Sequence, residues 1–180
     1  MRTSVLLLAA TLLLTACGGG GGGGSTPSEP TPPPPTAGIV LTPQGTPGAN
    51  SLYLASGAAT TTTTLVLELR ANQVTDLYGV AFDLTYPATQ LQLVRATAGP
   101  LLSNGAVQAV ASTPGTLIVG GTHLGATPGA NGSGVVLTLE FTAVAAGSGS
   151  FAFARNSALD SNGTTISGMT WLAGSVTVTK

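Results

Sequence analysis

The chain has 180 residues, a formal net charge of −1 and only 6% charged residues, where a soluble domain averages about 25%. So few basic groups exclude electrostatic capture of nucleic acid, which needs clustered Lys and Arg to displace counterions. A single cysteine excludes an internal disulfide and any Cys-based metal cluster.

At the N-terminus, Arg2 supplies a short positive region and Val5 to Leu14 an apolar stretch, too short to span a bilayer as a lasting helix, which needs about 20 residues. Leu14-Thr15-Ala16-Cys17 resembles the bacterial lipobox, in which small residues precede a cysteine that is diacylated and becomes the new N-terminus. Residues 1–17 therefore predict a lipoprotein signal, with Cys17 the lipidation site and the bacterial cell envelope the destination. Gly18 follows where some inner-membrane lipoproteins carry Asp, which favours the outer membrane. Gly18 to Gly24 is a flexible coil, and Ser25 to Thr36, with Pro27, Pro30 and Pro32 to Pro35, favours polyproline II. At about 3.1 Å per residue that half reaches on the order of 35 Å. Residues 18–36 thus read as a disordered tether, and 37–180 as the folded domain it holds.

Within that domain the apolar pattern has period two. Leu65, Leu67, Leu69 and Ala71 share one face, opposite Val66, Glu68, Arg70 and Asn72. Val80, Phe82, Leu84 and Tyr86 alternate with Ala81, Asp83 and Thr85; Val135, Leu137, Leu139 and Phe141 oppose Val136, Thr138, Glu140 and Thr142. Shorter runs at Leu91/Leu93, Leu117/Val119, Phe151/Phe153 and Val176/Val178 follow the same rule. Alternation of this kind marks strands with one buried face, as in antiparallel sheets. Gly/Pro-rich turns such as "STPG", "TPGANGSG" and "DSNG" separate the runs, so an all-β, two-sheet sandwich of eight or nine strands is expected.

Candidate chemistry is thin. The acids Glu68, Asp76, Asp83, Glu140 and Asp160 and the sole histidine, His123, form no evident catalytic set. A glycosidase needs two carboxylates across a cleft, and a serine triad needs an oriented histidine. Glu68 and Glu140 become neighbours if their strands pair, but on exposed faces. His123, after "GGT", reads as a surface-loop residue, and Asp160 to Thr165 as a hairpin turn rather than a calcium loop. No enzyme, metal or cofactor is expected. Tyr53, Tyr78 and Trp171 are the aromatic rings less constrained by the pattern, and Tyr78 and Trp171 the candidates for stacking on a polysaccharide.

"LYGVAFDLTYPATQLQLVRATAGPLL", "GVVLTLEFTAVAAGSGSFAF" and "LDSNGTTI" followed by "GSVTV" resemble, in order and spacing, segments of bacterial cohesin domains. The resemblance runs from Gly38 to Thr179 and implies a nine-stranded jelly-roll sandwich. It also implies an extracytoplasmic protein partner of the dockerin type, met on the outward face of the third strand. Asp83 and Thr85 are the polar groups of that face. The family's polar pair falls on Gly79 and Ala81, and its corner Asp is replaced by Tyr86-Pro87. The function expected is a membrane-anchored, non-enzymatic binding module; the alternatives are a polysaccharide-binding module or a passive envelope lipoprotein.

Overall fold

A β-strand forms where one face of an alternating segment can be buried, and the long runs above do so. The computed structural model describes residues 38–180; the signal with Cys17 and the 18–36 tether lie outside the described residues. Among these there are eleven strands: β1 (Gly38–Pro43), β2 (Ser51–Ser56), β3 (Thr64–Leu77), β4 (Gly79–Thr85), β5 (Leu91–Ala98), β6 (Gly105–Thr113), β7 (Thr116–His123), β8 (Ala130–Ala143), β9 (Gly147–Leu159), β10 (Thr170–Leu172) and β11 (Gly174–Thr179). One 3₁₀ turn, Pro100–Leu102, stands between β5 and β6. The expected sandwich is present, with eleven strands rather than nine. The surplus includes the three-residue β10, whose "TWL" is too short for alternation to register.

One sheet has the order β1-β11-β9-β4-β7-β6 and the other β10-β2-β3-β8-β5. Neighbours are antiparallel except β10 and β2, which are parallel. Leu52, Leu54, Leu65, Leu67, Leu69, Leu137 and Phe141 on the second sheet face Phe82, Leu84, Leu117, Val119 and Val176 on the first, and all are buried. Aromatic rings bridge the layers: Phe141 lies 5.2 Å from Tyr86 and 6.1 Å from Phe151 between ring centres.

Bulges break strict alternation in the long strands. In β3, buried positions run Leu65, Leu67, Leu69, Ala71 and then Val74 and Leu77, because Gln73 and Asp76 take left-handed backbone conformations (φ 49° and 54°) at shifts in register with β8. A further shift at Leu69/Arg70 makes Val136 fully buried and Val135 half-buried, the reverse of the expectation from period two. An extra residue on one strand flips every side chain beyond it to the other face.

Glu68 and Glu140 do lie on paired strands, opposite Thr138 and Val66 respectively. Each carboxylate holds an arginine: Arg70 at 2.7 Å from Glu68 and Arg95 at 2.6 Å from Glu140. They are surface ion pairs on the outer side of the second sheet, each contributing about 0–1 kcal/mol.

Candidate functional site

The outward positions of β4 are Gly79, Ala81, Asp83 and Thr85, since Val80, Phe82 and Leu84 between them are buried. The structure therefore brings all four sequence-predicted residues onto one face. Topology sets β4 between β7 and β9, and β6 beyond β7. Register places Thr122 beside Gly79, Gly120 beside Ala81, and Ala106 and Gln108 beside Thr122 and Gly120. These residues line a depression of about 350 Å³, closed on the β9 side by Leu159. It is open because Gly120 contributes no side chain where neighbouring outward positions carry one, with no atom within 4 Å of where its Cβ would stand, whereas Gly79 is buried against Gly121 and Thr122.

Among the described residues, no charged side chain lines the depression. Ile118 and Val110, paired across β7 and β6, extend it as exposed apolar residues, each 49% exposed. At its edge Asp83 accepts hydrogen bonds from Arg155, through Nε at 2.7 Å and through the second guanidinium nitrogen. Arg155 sits at a bulge of β9 with φ 48°, which turns its side chain across to β4. Asp83 is thus outward but already engaged, and Thr85 is exposed. Only the β4 residues were legible in the sequence. Alternation through "TLIVGGTH" marks Ile118, Gly120 and Thr122 as outward, but nothing local says that β7 lies beside β4.

The other candidates lie elsewhere. Trp171 is half-buried, packed 5.6 Å from Phe82 and 5.1 Å from Phe153. Tyr78 donates its hydroxyl to the Gly125 carbonyl, and its ring lies 5.6 Å from that of His123. The two candidate stacking rings therefore belong to different parts of the fold, and Tyr78 braces the β7–β8 loop. His123 is not a loop residue: it ends β7 on the inward face, only 8% exposed, because the strand runs on through Gly120 and Gly121 toward Tyr78, whose carbonyl accepts from the His123 amide at 2.9 Å.

Asp76 ties that end of the domain together. Its carboxylate accepts from the Ser161 hydroxyl and the Gly129 amide, both at 2.9 Å, and from the Ser161 amide at 3.4 Å. The Ser161 hydroxyl foremost holds its pKa below the ordinary carboxylate value; burial opposes it, and the Ser161 and Gly129 amides add to the lowering. Asp160 in turn caps the 160–165 turn, accepting from the amides of Asn162 and Thr164. A carboxylate whose folded pKa is depressed supplies its stabilisation above the unfolded value of about 3.9 and loses it as pH falls through the folded pKa. The protection factors of the Gly129 and Ser161 amides, exchange rates referred to the intrinsic rate at each pH, are therefore expected to fall below about pH 4. In Asp76→Ala they should be low already at neutral pH and lose that acid dependence; unchanged protection in the variant would contradict the role.

Comparison with known proteins places this geometry in a family. The model of the cohesin domain matches residues 55–178. Solved structures share the fold at low identity. A type II cohesin from Bacteroides cellulosolvens superposes with a TM-score of 0.59 at 14% identity, over 74% of this chain and 100% of that one. A cohesin in a type II cohesin–X–dockerin complex from Acetivibrio cellulolyticus gives 0.56 at 18%, over 68% and 93%. A non-cellulosomal cohesin from the archaeon Archaeoglobus fulgidus gives 0.54 at 14%, over 77% and 89%. No curated protein matches the chain at a significant level.

Proposed function

The chain belongs to the cohesin domain family, and from that premise we propose that it is a non-enzymatic docking module, lipid-anchored in a bacterial cell envelope, for an extracytoplasmic protein of the dockerin type. One similar structure is a cohesin bound to a dockerin-containing partner, which supports this partner class. The observation that carries the reading is the uncharged depression framed by Gly79, Ala81, Gly120 and Thr122 on the outer face of β4, β6, β7 and β9. A continuous apolar patch with a polar rim is a protein-binding surface. The depression accepts an apolar side chain as the central anchor, where the family's usual polar pair would offer hydrogen bonds. Asp83, Arg155 and Thr85 form the rim. The Asp83–Arg155 pair sets orientation more than affinity.

Anchoring rests on the Leu14-Thr15-Ala16-Cys17 motif and the Gly/Pro-rich run after it. Lipid on Cys17 holds the chain at the membrane, and the tether lets the domain reach a partner away from the surface.

The test is direct binding of the protein to a panel of calcium-loaded dockerin modules by biolayer interferometry, with and without chelator. Chelator-sensitive binding that competes with substitutions around Gly120 is the expected result. No binding by any calcium-loaded module would overturn the dockerin assignment. Separately, Cys17→Ala is expected to move the protein from the membrane to the soluble fraction and to abolish labelling by radioactive palmitate.

A further inference from the structure

A second site lies on the rim of the sandwich, away from the β4 depression. β11 pairs with β9 only as far as Phe151, opposite Gly174, while β9 continues to Leu159 along β4. The chain before Gly174 has crossed to the other sheet as β10. A groove of about 580 Å³ opens where the two part company, lined by Trp171, Met169, Phe153, Gln44, Asn156 and Ser150 among others. That volume falls in the range of small-molecule sites.

Its chemistry is specific. Trp171, the protein's sole tryptophan, is pinned by the edge-on ring of Phe153 and by Phe82, and lines the groove with what is left exposed. The Gln44 backbone amide donates to the Ala173 carbonyl at 2.9 Å, which fixes that residue at the mouth. Gln44, Ser150 and Asn156 are exposed. Among the described residues, no charged one lines the groove; the nearby Arg155 is drawn away to Asp83 on the outer face. A fixed indole beside neutral amide and hydroxyl groups suits a ligand with an apolar C–H face and many hydroxyls, and disfavours an ionic one.

We propose that this groove binds a neutral polysaccharide chain, one sugar ring lying on Trp171 and its hydroxyls bonding to Gln44 and Asn156. An extended peptide added to the open edge of β9 is the competing occupant. The bulge at Arg155 breaks the regular row of donors and acceptors that an added strand needs, so the sugar is favoured.

Because the protein has one tryptophan, its emission reads the groove directly. The full chain is titrated with cellohexaose, xylohexaose and maltohexaose, and with an extended Ser/Thr-rich peptide. At least one sugar is expected to shift or quench the emission below about 1 mM. The double variant Gln44→Ala/Asn156→Ala, which alters only exposed side chains and keeps Trp171, is expected to weaken that response at least tenfold. Gly120→Arg, on the docking face, should leave it intact. Silence toward all three sugars, a response indifferent to the double variant, or a response to the peptide alone would each overturn the assignment.

Discussion

Gly120→Arg is expected to lower affinity for the docking partner at least a hundredfold while leaving the melting temperature equal to or above that of the parent. The fold tolerates the change because a Cβ at Gly120 meets no atom within 4 Å, and a glycine inside a strand forgoes side-chain packing and backbone restriction. Docking does not tolerate it. The new side chain would fill the depression between Ala81 and Gln108 and set an unpaired charge where, in the proposed docking, the partner places an apolar group. Burying such a charge, together with the lost anchor, costs about 3 kcal/mol or more, which is the hundredfold. Gln92→Arg is the control, since Gln92 is exposed on β5 of the opposite sheet. Interferometry with calcium-loaded dockerin and a thermal melt read both quantities. Parental affinity in Gly120→Arg would move the docking surface off this face.

Phe141→Ala is expected to cost about 3–5 kcal/mol of stability, the range for deleting a fully buried aromatic ring and leaving a cavity. Phe141 has no exposure, sits between Leu65 on β3 and Leu93 on β5 in register, and carries the contacts to Tyr86 and Phe151 that join the two sheets. For a domain of this size the loss corresponds to a melting temperature lower by about 10–20 °C, and against a typical total of 5–15 kcal/mol it brings the domain close to unfolding. Phe141→Leu keeps most of the volume and is expected to cost about 1–1.5 kcal/mol. Urea denaturation of the three proteins gives the comparison. A loss under about 1 kcal/mol for the alanine variant would mean that the sheets do not depend on this bridge.

Much of the core was readable because burial follows the pleat, and the pleat is local. Alternation alone places Leu65, Leu67, Leu69, Phe82, Leu84, Leu137, Leu139 and Phe141 inward, and all are buried. The same rule failed at Val136. Val136 is itself the extra residue of a bulge in β8, passed over between Leu137 and Val135 in the pairing with β3, and alternation along β8 does not show where pairing skips a residue. His123 departs from expectation for a related reason: two glycines before it suggest a loop, whereas they continue β7, flanked by β4 and β6. The Glu140–Arg95 pair joins residues 45 apart in sequence, and the Trp171 groove depends on where β11 stops pairing with β9.

Local pattern along the chain is enough for the β class, most of the inward set, the four outward positions of β4, the family resemblance, and the motif at Cys17 that predicts lipidation. That Gly79 and Ala81 adjoin Thr122 and Gly120 at a depression, that Asp83 is held by Arg155, and that Tyr78 and Trp171 serve different parts of the molecule follow from the folded arrangement alone. Side-chain alternation is a property of each strand's own backbone. Adjacency between strands, and the bulges that reset which face a residue takes, come from how the two sheets pack against each other.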